Sequence, residues 1–221
     1  MDFVVTADGS NTLYHAEVGE HYHSKHGALQ ESKHVFVQSG LAYYLEKENT
    51  DKAAVLEIGF GTGLNFLQSA DYAFKNKLKL HYCGIEAYPL LEDVIFATGY
   101  DNYVIPGIWA SFRDKYNNAW YQSTDLTPDI TWKLVHRKVL EFNSDQLFDV
   151  IYFDAFAAIH QPEMWSDETL AHVCQYLREG GVFVTYAITG NLKRSMKALG
   201  FKVEKAPGAP GKREMLRAVK Q

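Results

Sequence analysis

The segment AAVLEIGFGTG, residues 53–63, constrains the fold more than any other part of the chain. It is a short, continuous apolar run that ends in glycines at alternate positions, Gly59, Gly61 and Gly63. Such a run reads as a strand buried on both faces. Alternate glycines directly after it let the backbone turn sharply and approach a ligand with no Cβ in the way. The helical pattern that starts at Leu64 points its free N–H groups at the same space. The third glycine falls at Gly63, one place earlier than a dinucleotide fingerprint requires, so the loop reads G-x-G-x-G.

That spacing bears on the ligand. A dinucleotide site sets a pyrophosphate on the helix N-terminus, and an acid on the strand just before the loop, here Glu57, would repel it. The same carboxylate suits an ammonium or a sulfonium, as S-adenosylmethionine carries. Glu86 ends the next strand pattern, where a carboxylate can accept hydrogen bonds from both ribose hydroxyls of a nucleoside cofactor. A third acid, Asp154, ends the apolar run FDVIYF and is expected at the same edge of the sheet. Methyl transfer to nitrogen needs a neutral amine aligned with the methyl carbon, and a carboxylate there can orient the amine N–H and accept its proton.

The rest of the chain alternates strand and helix patterns. Strands are expected at residues 79–86, 130–136, 148–154 and 182–187, and helices at 64–74, around Leu91–Ile95, at 164–178 and at 191–199. Two short strands, 202–204 and 215–219, close the chain as a hairpin. This pattern predicts an α/β fold of the Rossmann-like class I methyltransferase kind, with a mostly parallel seven-stranded sheet, helices on both faces and an antiparallel edge strand. At 221 residues the chain fits one domain. Residues 1–50 read as an N-terminal extension, polar, His-rich and flexible up to Gln38. Residues 98–128, rich in Tyr and Trp, read as an insertion of short helices and loops.

Composition narrows the classes. No stretch approaches the roughly 20 apolar residues of a membrane helix, and early Asp2 and Asp8 without a basic residue are unlike a secretory leader, so a cytoplasmic protein is expected. Cys83 and Cys174 lack metal-type spacing and read as buried thiols. His15, His21, His23, His26 and His34 have no cysteine or paired carboxylate beside them, so no metal is expected. The net charge of -5 hides a basic tail, with nine Lys or Arg after Gly190 against Glu204 and Glu214. Such a patch can attract a polyanion. Trp109, Trp120, Tyr121 and Trp165 could stack on splayed RNA bases, although each aromatic taken singly reads first as core.

Four segments carry a resemblance: YHSKHGALQESKHVF (22–36), GFGTGLNFL (59–67), FDAFAAIHQPEMW (153–165) and GKREML (211–216). With these the sequence resembles the tRNA 5-methylaminomethyl-2-thiouridine methyltransferase family, the methyltransferase half of the bifunctional MnmC enzymes. The resemblance implies methylation of an aminomethyl group on the wobble uridine, in the anticodon loop of tRNA, with S-adenosylmethionine as cofactor. It places Glu57, Gly59, Phe60, Gly61, Thr62, Gly63, Asn65, Glu86, Ala87, Lys138, Val139 and Asp154 at the cofactor. Asp154 would serve catalysis, and Phe156, Trp165, Lys193, Arg194, Lys212 and Arg213 would meet the substrate. With the sequence ending at Gln221, no flavin domain is expected. Two positions depart from the family: Lys138 stands where an acid usually meets the adenine amino group, and the family's FAP is Phe156-Ala157-Ala158. Adenine is then left to backbone groups or to weaker cofactor binding. The alternatives are methylation of a small amine or another RNA position, a noncatalytic RNA- or cofactor-binding module, and a nicotinamide oxidoreductase, the last disfavoured by Gly63 and Leu64.

Overall fold

A computed structural model describes residues 2–221; Met1, the first residue of the expected extension, lies outside them. The N-terminal stretch is built rather than loose. Strands β1 (Asp2–Val5), β2 (Asn11–His15) and β3 (Glu20–His21) form a three-stranded antiparallel sheet. Its β1–β2 turn caps the next helix, α1 (Ala28–Glu31). Gly27, at the cap position, has no side chain to offer, and the N–H groups of Ala28, Leu29 and Gln30, which have no partner within the helix, donate to Thr6 Oγ1, Ser10 Oγ and Asp8 Oδ2 instead. A cap contributes roughly 1 kcal/mol, which helps fix the N-terminal sheet to the body. The helix runs on as a π-helical stretch, Ser32–Ala42, and then as α2 (Tyr43–Glu48), ending where Asn49 takes the left-handed conformation.

The elements that follow are β4 (Lys52–Ile58), α3 (Leu64–Lys75), β5 (Lys79–Glu86), α4 (Glu92–Phe96), α5 (Pro106–Ala119), β6 (Thr124–Thr127) and β7 (Ile130–His136). After them come β8 (Phe148–Phe153), α6 (Asp167–Cys174), β9 (Leu177–Thr185), α7 (Gly190–Ala198), β10 (Phe201–Pro207) and β11 (Glu214–Lys220). The main sheet has the order β10-β11-β9-β8-β4-β5-β7-β6, parallel through its centre and antiparallel at both edges. Successive residues on its strands enter different cores. Val55, Tyr82 and Tyr152 pack on the side of α3 and α5, while Leu56, Cys83 and Phe153 pack on the side of α6 and α7. This is the period-2 pleat of a strand covered on both faces. Burial pushes both thiols, Cys83 and Cys174, up to about 12, so they stay protonated at neutral pH.

Three expectations are corrected. The insertion is not a set of short pieces: α5 is a 14-residue helix, and β6 adds an eighth strand by pairing with β7. Most of its aromatic residues are core material, as the first reading of each ring has it, with Phe112 and Tyr116 fully or nearly buried against Trp132, which stacks on Phe66 at 4.5 Å. The helix expected over 164–178 is shorter. Ser166 caps α6 by accepting a hydrogen bond from Thr169 N, and Leu177 already belongs to β9, held beside Phe148 by the bond from Phe148 N to Tyr176 O. The apolar pair Tyr176-Leu177 suits either a helix or a strand by pattern alone, and pairing with β8 decides it. Among the described residues no helix is long and apolar enough to cross a membrane.

Candidate active site

From β4 the strand order steps to β5 and β7 on one side and to β8 and β9 on the other. At such a switch point the loops leaving neighbouring strands diverge and open a crevice at their carboxyl ends. Here the crevice is a cavity of about 1060 Å³, at the upper end of the roughly 300–1,000 Å³ of ligand sites. It is lined by Gly59–Gly61 after β4, Glu86 and Ala87 after β5, Lys138–Glu141 after β7 and Asp154–Phe156 after β8. Residues between His15 and Lys25, with Glu31 and Lys212, line it from the N-terminal sheet, α1 and the β10–β11 turn, and residues between Gln161 and Thr169, with Tyr186, close the remaining side.

Each loop is fixed by the strand before it. Gly59 N and Phe60 N both donate to Ile85 O, binding the glycine loop to β5. Gly59 has φ +85°, and a Cβ there would lie 2.6 Å from the carbonyl oxygen of Asp154. The loops after β4 and β8 therefore touch backbone to backbone, which only glycine allows. Glu86 is held by two backbone donors, Gly61 N on Oε2 and Tyr88 N on Oε1, both at 2.9 Å. Each oxygen keeps acceptor capacity for a further donor. Tyr22 lies over Gly61 and meets Phe156 at 5.2 Å, with His15 at 5.9 Å from Phe156, so three rings gather on the cavity.

Asp154 is among the most enclosed acids of the cavity, its side chain only 7% exposed, beside Glu31 at 6%. Its Oδ2 accepts a 2.8 Å bond from Asn65 Nδ2, and Asn65 also donates to Glu57 Oε1 at 2.9 Å. Burial pushes the Asp154 carboxyl well above the usual carboxylate range; Glu31 adds to this, while the Asn65 bond and Lys212 oppose it. Lys212 does not face the cavity as a free cation. It pairs with Glu31 at 2.9 Å and sits 3.9 Å from the centre of the Tyr186 ring. Acids outnumber bases along the lining, Glu17, Glu20, Glu86 and Glu141 among them. The walls therefore favour a cationic ligand over an anionic one.

Of the residues expected at the cofactor, the structure brings Gly59, Phe60, Gly61, Glu86, Ala87, Lys138, Val139 and Asp154 to the cavity. Glu57, Thr62, Gly63 and Asn65 lie behind it. Glu57 is fully buried and meets Asn65 and Tyr82 OH, so it has no face to turn toward an ammonium. Burial, then Asp154 and Glu86, drives its carboxyl upward against the bonds from Asn65 and Tyr82. Its place in the site is indirect: it anchors the Asn65 amide that holds Asp154. Of the substrate candidates, Phe156 and Lys212 line the cavity, whereas Lys193, Arg194 and Arg213 do not. Trp165 stands behind the loop, its Nε1 donating to Phe156 O and its ring against Phe153 and Tyr186. Trp109 and Trp120 pack on the core, leaving Tyr121 exposed.

The sequence reading missed the contribution of residues 15–25, because a polar stretch without periodicity gives no strand signal. It also missed Glu141, three places past Lys138, which puts an acid on the cavity after β7.

Comparison with known proteins bears on this geometry. A model of S-adenosyl-L-methionine-dependent methyltransferases matches residues 103–221, more than half of the chain. The chain belongs to that family. It is 32% identical, over 88% of its length, to the tRNA 5-methylaminomethyl-2-thiouridine biosynthesis bifunctional protein MnmC of Leptospira interrogans, and 28% identical over 92% to that of Methylobacillus flagellatus. It spans about a third of the length of these relatives, 32% and 33%. The crystal structure of MnmC2 from Aquifex aeolicus superposes with a TM-score of 0.80 at 24% identity, covering 99% of this chain and 70% of that one. That likeness establishes the fold, as does a more distant one to DesVI of Streptomyces venezuelae, TM-score 0.51. The cavity fits the family's cofactor: it offers a glycine turn without Cβ atoms, a doubly anchored carboxylate at Glu86 and acidic walls for a sulfonium.

Proposed function

We propose that this chain methylates a primary amine, the aminomethyl group at carbon 5 of a tRNA wobble uridine. The observation that carries the reading is Asp154, a buried carboxylate fixed by Asn65 at the end of β8, beside three aromatic rings and the glycine turn. The names of the relatives support the identity of the acceptor. Bound S-adenosyl-L-methionine supplies an electrophilic methyl group on a sulfonium.

The chain's own residues do the rest. Glu86 takes the ribose hydroxyls, the Gly59–Gly61 turn and Ala87 give backbone groups, and Val139 and Glu141 face the adenine. His15, Tyr22 and Phe156 enclose the uracil ring by aromatic contact, which recognises an unstacked base. Asp154 orients the amine, holds its lone pair toward the methyl carbon and accepts its proton; a base with raised proton affinity accepts more readily than a solvated carboxylate. Much of the rate comes from this positioning, with up to roughly 7–11 kcal/mol available from fixed geometry.

The test is transfer of radiolabel from S-adenosyl-L-methionine to tRNA that accumulates the aminomethyl base, followed by digestion and identification of the nucleoside. Label in 5-methylaminomethyl-uridine, thiolated or not, is the expected outcome. Label only in small amines, or none in tRNA despite bound cofactor, overturns the tRNA reading. Glu86→Ala removes charge-assisted bonds of about 1.5–3 kcal/mol. Cofactor affinity measured by calorimetry is expected to fall roughly tenfold to a hundredfold, with kcat at saturation less affected. Unchanged affinity would remove Glu86 from the site.

A further inference from the structure

His23 is used by nothing above, yet it lies against the reactive carboxylate. It follows β3, its side chain is 5% exposed, and its Nδ1 is buried with no hydrogen-bond partner. That nitrogen stands 3.9 Å from Asp154 Oδ2. An orphaned polar atom at such depth is costly unless it has a task.

A count of hydrogens on the far side of the ring shows which nitrogen is bare. Nε2 lies 3.0 Å from Thr62 Oγ1, Thr62 Oγ1 lies 3.1 Å from Tyr100 OH, and Tyr100 OH lies 3.2 Å from the carbonyl oxygen of Asn11. A carbonyl only accepts, so Tyr100 donates to Asn11. Thr62 must then donate to Tyr100, and His23 Nε2–H to Thr62, if each contact is to hold one hydrogen. The ring is therefore fixed as the Nε2–H tautomer, and Nδ1 presents a bare lone pair to Asp154. Burial keeps the imidazole neutral, its pKa lowered to about 4, although Glu31 pulls the other way. While Asp154 is ionised, two acceptors face one another across the 3.9 Å gap and no hydrogen bond can form between them. Once a proton sits on Asp154, the same pair has a donor and an acceptor.

We propose that His23 is a positioning residue for the methyl transfer, its Nδ1 accepting a hydrogen bond from Asp154 after that carboxylate has taken the amine proton. The origin of the proton rests on the amine-methylation reading above; the pairing itself does not. In the step, the amine nitrogen forms a bond to the methyl carbon as the carbon–sulfur bond breaks with its electron pair on sulfur. One N–H proton of the resulting secondary ammonium passes to Asp154, whose O–H then donates to Nδ1. The product leaves as a neutral amine, and one proton stays on the pair until the cavity opens to water. The charged groups that face the pair are Glu31 from α1, Glu20 from β3 and Lys212 from the β10–β11 turn, with Glu57 behind Asn65. The acids among them raise the pair's proton affinity and Lys212 lowers it.

The first measurement needs neither cofactor nor substrate: two-bond proton–nitrogen spectra of the histidine rings in the whole chain, from pH 5 to 9. The expected result is a protonated Nε2 and a bare Nδ1 on His23, with the Nδ1 shift following a titration that disappears in Asp154→Asn. A hydrogen on Nδ1, or a shift that titrates alike in both proteins, overturns the proposal. The second measurement uses His23→Gln, which can place an amide N–H near Thr62 but has no nitrogen lone pair at the position of Nδ1, with His23→Leu, which lacks any polar atom, beside it as the variant with no acceptor. The kcat of each is expected to fall about tenfold with KM unchanged, and the acidic limb of its pH profile to move about one unit lower, a tenfold loss of proton affinity. An equal loss at every pH with the limb unmoved would make His23 merely structural. Should no amine be methylated at all, the amine reading fails, and the spectra still decide the pair.

Discussion

Asp154→Asn is expected to lower kcat for methyl transfer by a factor of about 10² to 10⁴, the usual contribution of a positioned acid or base. The asparagine has the size of the aspartate, so the strand, the glycine turn and the Asn65 contact can stay in place. Cofactor affinity, measured separately by calorimetry, is expected to stay within a few fold, because Glu86 and the turn are untouched. Stability has a sign of its own. Asp154 is a carboxyl whose folded pKa lies well above its unfolded value. The folded chain thus binds that proton more tightly than the unfolded one, and stability falls as pH rises from the unfolded pKa toward the folded one. Above the folded pKa the full penalty of a buried charge is present. The amide carries no such penalty, so Asp154→Asn is expected to melt at the same temperature as wild type or higher at pH 8, with the advantage shrinking on acidification. Loss of activity together with gain of stability is the mark of a group kept for chemistry. A variant that is active within threefold, or that melts earlier at pH 8 than at pH 5 relative to wild type, would contradict this assignment.

How much of this was legible depends on what each segment had to satisfy locally. β4 and β8 are nearly continuous apolar runs that must be buried on both faces, β5 and β7 carry the strand alternation beside them, and the glycine turn has a single use. Their ends, Gly59, Glu86 and Asp154, follow from strand direction alone, which is why three distant positions could be placed on one cavity. Glu57 shows the limit of that reasoning. Its position before the loop was readable, but the pleat decides which way a side chain turns, and Tyr82 and Asn65 claim both of its oxygens. The N-terminal sheet was hidden for a different reason. Its strands are four, five and two residues long, and several of its buried residues, Thr6, Ser10, Thr12 and His23, are polar and bonded to one another or, through His23 Nε2 alone, across the fold. No local pattern announces a partner 39 residues away, as between His23 and Thr62. Composition alone leaves the aromatic stretch around α5 open between surface stacking and core packing, with core the first reading of each ring, and the burial of Phe112 and Tyr116 agrees with that reading.

Gly59→Ala is expected to be a costly substitution for the single methyl group it adds. An alanine at φ +85° bears about 1–2 kcal/mol for the left-handed backbone. Its methyl group would also stand 2.6 Å from Asp154 O, and that atom cannot rotate away, since Asp154 N is bonded to Ile58 O at 2.9 Å. Forcing apart such a contact costs a further 1–3 kcal/mol or so, giving a total of roughly 2–5 kcal/mol in urea unfolding. Gly107→Ala provides the contrast. It lies inside α5 with open space around its Cβ position and no positive φ, so the same change should stabilise by about 0.5–1 kcal/mol. If both variants lose stability alike, backbone contact at Gly59 is not the cause. The functional consequence follows from where the collision falls. Relief comes from moving the start of the β8 loop, and with it the Asp154 carboxylate relative to Asn65 and Glu86. Folded Gly59→Ala protein is therefore expected to retain less activity than its folded fraction accounts for. On the proposed reading, the glycine that makes the turn possible also holds Asp154 in place beside the glycine turn.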